Sequence, residues 1–244
     1  MFVSILLTLA YLFFIGSILG WVLELLFRNL TRPHKTWINP GFCTGPYLPI
    51  YGFGLCVLYL LASLEQYRMI EDPFWNKVAL FSAMAVGMTV IEYVAGVFCL
   101  KFLKVRLWDY SDLRGNIQGI ICPLFSFFWA ILGAMYYFLV HPHILEGLEW
   151  LSRNLAFSFF IGMFFGVFLI DVAHSSQLIV KLKRFAEDNT VVLRYEGIKA
   201  HIRNDLERSS AKYRFFAPFH SERPLSQSLK EIVELMENQR AHRK

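Results

Sequence analysis

The apolar residues of this chain fall into five long runs separated by short polar stretches: Phe2 to Phe27, Pro46 to Leu64, Phe74 to Leu100, Ile117 to Val140 and Leu155 to Val180. Each is near or beyond the roughly 20 residues a helix needs to cross about 30 Å of hydrocarbon. The alternation expected of barrel strands is absent. The pattern predicts an all-α polytopic membrane helix bundle of about five transmembrane helices over residues 1–180, joined by short loops. The first run has no basic leader and exceeds the apolar core of a removable signal, so it reads as a retained helix.

After Val180 the pattern turns amphipathic. Lys181, Lys183 and Arg184 open a basic stretch in which Tyr195, Ile198, Ile202 and Leu206 share one side of a helix. Farther on, Ser228 and Glu231 have capping-box spacing, and Leu229, Ile232, Val233 and Met236 form a helical stripe. Residues 181–244 therefore read as a basic helical cytoplasmic tail, whose stripe suits either the inner leaflet or a partner protein. A duplication is also suggested. Glu24 leads to Trp37, Asn39 and Pro46, Glu92 leads to Trp108, Asn116 and Pro123, and Asn and Pro stand seven residues apart both times. A parallel repeat of units 1–64 and 74–140, followed by a fifth helix, is one reading, and chance similarity of two loop–helix junctions is the other.

Composition supports a lipid-embedded chain: 56% of the 244 residues are hydrophobic, 24 are Phe, 18% are charged and the mean hydropathy is +0.43. One soluble core could not bury that much apolar surface. The net charge of +5 sits in loops and tail, so topology explains it without nucleic acid. Arg28, Arg32 and Lys35 mark the first loop, and Lys101, Lys104, Arg106 and Arg114 the third. The second and fourth carry few basic residues, diluted by acids. The positive-inside rule then puts the N-terminus outside and the C-terminus in the cytoplasm. Cys43, Cys56, Cys99 and Cys122 show no metal or redox spacing and read as packing residues; nothing calls for a metal or cofactor.

Acids inside the spans are the first candidates for chemistry, because an ionisable group in hydrocarbon needs a partner or a wet cavity. Glu24 ends a Gly16, Gly20, Glu24 seam at i+4 spacing, suited to close helix packing, and Arg28 one turn later can pair with it. Glu92 lies nine residues before Lys101, roughly 13 Å inside the cytoplasmic end. Asp171 shares a face with His174 and Ser175. The entry to the second span, with Asn39, Gly45, Pro46 and Tyr51, is too rich in Gly and Pro for a regular first turn and suits the wall of a cavity, unless it is an ordinary helix start with Pro in its first turn. Trp108, Asp109, Tyr110, Ser111, Asn116 and Gln118 make a second polar patch. Trp108 and Tyr110 also suit plain interface anchors. By the orientation above, all these groups gather on the cytoplasmic side, and a polar cavity opening inward is expected.

In these residues the chain resembles a family of bacterial membrane proteins described as type IV ABC transporters, or CmpB-like permeases. Trp21 with Glu24, then Asn39, Gly41 and Phe42 before GPYLPIYGFG, Glu92 with Tyr93, Trp108 to Ser111, and Asn116, Gly119 and Cys122 carry the resemblance over roughly residues 10–140, with Asp171 and Ser175 a weaker continuation. Where the family pattern has Arg between Gly119 and Cys122, this chain has Ile120 and Ile121, so no anion-binding role carries over to that position. The resemblance implies a multi-pass protein of the bacterial cytoplasmic membrane and a permease or substrate-binding component of a transport system, taking a small polar solute or lipid. The chain contains no GxxxxGK[ST] phosphate loop, so ATP-driven transport would need a separate ATPase or other cytoplasmic subunit. The less favoured alternatives are a membrane-embedded enzyme using Glu92 as acid or base, and a non-catalytic scaffold whose polar residues lock helices together.

Overall fold

Prolines set where three of the helices begin. With no N–H to lose and φ already helical, Pro is suited to a first turn, and Pro49, Pro73 and Pro123 open helices in this way. The computed structural model describes residues 2–31, 39–41, 43–67, 70–188, 193–194, 198 and 227–234. Its elements are α1 (Phe2–Thr31), α2 (Pro49–Ser63) with a 3-10 turn Leu64–Tyr67, α3 (Pro73–Phe102), β1 (Val105–Arg106), α4 (Pro123–Met135), a π turn Tyr136–Val140, α5 (His141–Arg153), α6 (Ser158–Asp188) and β2 (Leu193–Arg194). Residues 227–234 are helical.

Among the described residues four helices are long and apolar enough to cross a membrane: Ile5–Leu30, Pro73–Phe102, Pro123–Arg153 and Leu155–Asp188. The second expected span folds as the 15-residue α2, about 22 Å long and shorter than the hydrocarbon layer. The expected fourth span starts later, because residues 117–122 form a turn in which Gln118 and Gly119 take positive φ. It also runs past Val140. The following stretch, expected as a loop, is α5, and the intervening π turn widens the helix where Pro142 would otherwise clash with the preceding turn. Likewise α6 runs beyond Val180 to Asp188, through the first basic residues of the expected tail.

The helices of the bundle have a protein face and an apolar outer face. On α3, Asn76, Leu80, Met84, Met88 and Glu92 are buried at every fourth position, while Val86, Val90, Val94, Phe98 and Phe102 are exposed at the same spacing. The core gathers Leu12, Leu58, Ala62, Leu80, Met84, Met88, Tyr136 and Ile144. Small residues allow close packing. A Cβ on Gly16 would stand 2.8 Å from that of Leu55, and one on Gly20 would fall on the Tyr51 ring. The expected Gly16–Gly20 seam thus faces α2. Contacts at successive levels show α1, α2, α3 and α4 alternating in direction: Gly20 with Tyr51 and Gly16 with Leu55, Gly54 with Met88, Gly133 with Met84 and Gly96 with Ile120. α6 lies along α1 through Phe13 with Phe165 and Phe168, and Phe14 with Phe164.

Beyond the bundle, β1 and β2 pair in parallel, Val105 with Leu193 and Arg106 with Arg194. Val105, Leu182, Ala186, Leu193, Ile198, Leu229 and Val233 are buried. Ile198, Leu229 and Val233, three members of the two expected tail stripes, are therefore covered. Arg32, Lys35, Trp37, Phe42, Tyr195, Ile202, Leu206 and Met236 lie outside the described residues.

Candidate functional site

One end of the bundle collects most of the polar groups singled out in the sequence, and they form three hydrogen-bonded sets. The first joins α1, α2, α3 and α4. Glu24 Oε1 accepts from Arg28 Nε at 2.6 Å, and its Oε2 accepts from the Tyr51 hydroxyl at 2.7 Å. Four turns of helix place Glu92 at the end of the buried stripe of α3, 5% exposed. Its Oε1 accepts from the Tyr110 hydroxyl and its Oε2 from Trp129 Nε1, both at 2.9 Å. Tyr51 and Trp129 meet edge to face at 6.4 Å, so the two carboxylates are linked through a pair of aromatic rings. Tyr51, Glu92 and Trp129, with Ile50, Met88 and Ile91, line a cavity with room for about one water molecule, which Glu24 approaches only through Tyr51.

The second set is built on Asp171 of α6. Its Oδ1 accepts from Thr44 N at 3.1 Å and Ser175 Oγ at 3.0 Å, and its Oδ2 accepts from Gly45 N at 2.8 Å and from the Tyr47 hydroxyl. Asn39, 1% exposed, completes the loop: its Nδ2 donates to the carbonyls of Cys43 and Thr44, while its Oδ1 accepts from Trp21 Nε1 at 2.9 Å. The backbone groups freed by the Gly- and Pro-rich entry thus find protein partners. Gly45 sits against the Tyr47 ring, and Pro46 is exposed.

The third set shapes the loop between α3 and α4. Asp109 Oδ1 accepts from Arg106 at 2.7 Å, from Ser111 Oγ at 2.5 Å and from Ser111 N at 3.1 Å. Burial alone would raise this carboxyl, but the Ser111 hydrogen bonds and the Arg106 guanidinium outweigh it and hold Asp109 below the usual Asp range. Asn116 closes the turn by donating to the carbonyls of Ser111 and Leu113 and accepting from Gly119 N. Trp108 Nε1 donates to the Ile120 carbonyl at 2.8 Å. Tyr110 stacks on Phe125 at 4.4 Å, and burial, then the charge of Glu92, pushes its phenol up, keeping it a neutral donor.

A family model described as "Putative ABC-transporter type IV" matches residues 11–176, more than half of the chain. The chain belongs to this family. No curated protein and no solved structure matches it. The family-matched region begins within α1, ends within α6 and encloses all three sets, whereas the tail lies beyond it.

Of the residues expected at the site, Glu24, Tyr51, Glu92 and Tyr110 are brought together, and Asn39, Gly45 and Asp171 meet beside them. Trp108, Asp109, Ser111 and Asn116 hold the loop that carries Tyr110. His174 and Gln118 are exposed, and Gln118 serves a turn with φ of 56°. Sequence reasoning missed Trp129 and Tyr47, since an aromatic residue in an apolar run carries no signal of a polar role. It also missed a cluster at the opposite end, where Tyr137 donates to Glu65 and Tyr136 meets His141 Nδ1 at 2.8 Å. Among the described residues no group of three or more His, Cys, Asp or Glu side chains is placed to hold a metal.

Proposed function

We propose that this member of the ABC-transporter type IV family is the permease or substrate-binding membrane component of a transport system, with its solute site between Glu24 and Glu92. The observation that carries the reading is the convergence of two intramembrane carboxylates, from separate helical hairpins, on one cavity through Tyr51 and Trp129. Carboxylates beside aromatic faces suit a small polar solute or headgroup bearing N–H or O–H donors. The cavity as it stands has room for about one water molecule, and a solute is admitted when α2 and α4 part. In this reading α2 is a shortened fifth pass. The charge-rich loop 103–122 and the tail face the cytoplasm of a bacterial cell, the N-terminus lies outside, and the inner surface docks a separate ATPase.

The test is solute-dependent thermal stabilisation of the purified full chain, screened over small polar solutes and phospholipid headgroups. Glu92→Gln should keep the fold and lose the stabilisation. Chemical turnover of a solute would favour the enzyme reading, and an unfolded variant with no stabilising solute for the wild type would favour a scaffold.

A further inference from the structure

The two carboxylates linked through Tyr51 and Trp129 are not equivalent. Glu24 is ion-paired with Arg28 at 2.6 Å and stands at 19% side-chain exposure. Glu92 is more deeply buried, and among the described residues it has no ion-pair partner; both of its hydrogen bonds come from neutral donors. An ionised carboxylate in that position is a single uncompensated charge in an apolar layer, which is unfavourable by several kcal/mol. The other groups facing it do not relieve this: Tyr51 from α2 donates to Glu24, Trp129 from α4 and Tyr110 from the loop are uncharged, and the Glu24 charge from α1 repels it. A cation beside Glu92 relieves this charge.

Geometry selects which cation. The cavity admits about one water-sized species, which excludes an organic amine in this conformation. A metal ion of that size needs several oxygen ligands, whereas Glu92 is approached by an indole N–H and a phenol O–H. A proton needs one oxygen. Trp129 Nε1 can only donate, so Oε2 must remain an acceptor; the Tyr110 hydroxyl can turn from donor to acceptor. We propose that Glu92 is an exchangeable proton site of the transport cycle, with the proton carried on Oε1 and accepted by Tyr110, and Oε2 serving as the carbonyl oxygen held by Trp129. Both Glu92 oxygens keep a hydrogen bond in either state, and one O–H bond forms or breaks with water as the proton source and sink. The proposal rests on the reading above for the place of Glu92 in the cavity and adds the ion that the cavity exchanges.

Infrared difference spectroscopy of the full chain in lipid nanodiscs, titrated with acid and base, tests this without any solute. Beside the bands of the other acids, one carboxylic C=O component should appear and vanish reversibly with pH and be absent in Glu92→Gln. Trp129→Phe should raise its frequency, because the carbonyl oxygen loses its donor, and Tyr110→Phe should change the response by removing the acceptor of the acid proton. The titration should be the same in sodium and in potassium salts. A set of bands unchanged in Glu92→Gln, no component shifted by Trp129→Phe, or a titration of that component displaced by sodium at fixed pH would each overturn the proposal. If Glu92→Gln does not fold, the Trp129→Phe shift decides alone. Loss of solute stabilisation with the band intact would sink the solute site and leave the proton site standing.

Discussion

The Tyr47 hydroxyl donates to the carboxylate of Asp171, joining the entry of α2 to the middle of α6 across 124 residues of sequence. Three further donors share that carboxylate, so it closes the loop before α2 against the last helix of the bundle. Asp171→Ala leaves Gly45 N and the Tyr47 hydroxyl without their acceptor, each buried unsatisfied group costing about 1–3 kcal/mol, while the exposed Thr44 N can turn to water. The expected outcome is a clear drop in thermal unfolding temperature, with Asp171→Asn intermediate because it keeps one oxygen. Equal stability of all three proteins would show that the clasp is not formed in the membrane-embedded chain.

Gly20 and Gly162 give a matched pair of substitutions. A Cβ at Gly20 meets the Tyr51 ring, whereas one at Gly162 meets nothing within 4 Å. Gly20→Ala should destabilise by about 1–3 kcal/mol, as overpacking does, and should disturb the Tyr51–Glu24 hydrogen bond. Gly162→Ala should be neutral or slightly stabilising, since Ala favours helix. Thermal unfolding in detergent distinguishes them, and a larger loss at Gly162 would contradict the packing of α1 on α2.

The loop that carries Tyr110 should loosen in acid. Asp109 has a lowered pKa in the folded chain, so its contribution is complete above the ordinary Asp value of about 4 and is lost as the pH falls through the lower folded value. The protection factors of the Ser111 and Gly119 amides, taken relative to the intrinsic exchange rate at each pH, should drop over that window. Arg106→Gln removes one of the stabilising partners and should move the onset to higher pH.

Cys43 is 2% exposed, and burial, followed by the charge of Asp171, pushes its thiol up to about 12. The thiolate is the reactive form. At neutral pH a water-soluble maleimide should leave Cys43 unmodified in the native chain and label it once the chain is unfolded in detergent, as read by peptide mass spectrometry. Rapid labelling of the native chain would mean that the Asp171 clasp opens.

Much of the architecture was legible in the order of residues because burial in lipid is a composition effect. Apolar runs located the long helices, i+4 spacing identified the small-residue face of α1, and Glu24 was paired correctly with Arg28 from one-turn spacing alone. The length of α2 and the continuation of α4 into α5 were less legible. Hydropathy reads the apolar entry before Pro49 as helix, and it reads the polar residues after Val140 as loop. Backbone hydrogen bonding decides otherwise in both places.

The same division holds at the site. That Glu92 must be special follows from its sequence position alone, since a carboxylate deep in an apolar run needs a partner wherever the helix points. Which partner it has depends on how α3 and α4 are rotated against each other and on the loop that folds back between them. Trp129 stands 37 positions away, and Tyr110 reaches Glu92 only because Asp109, Asn116 and the Gly119 turn fix that loop. Local sequence therefore determined where the charge lies along its helix. Tertiary packing decided that it faces two neutral donors and a water-sized cavity, because helix rotation and loop closure are set by long-range contacts that no local pattern encodes.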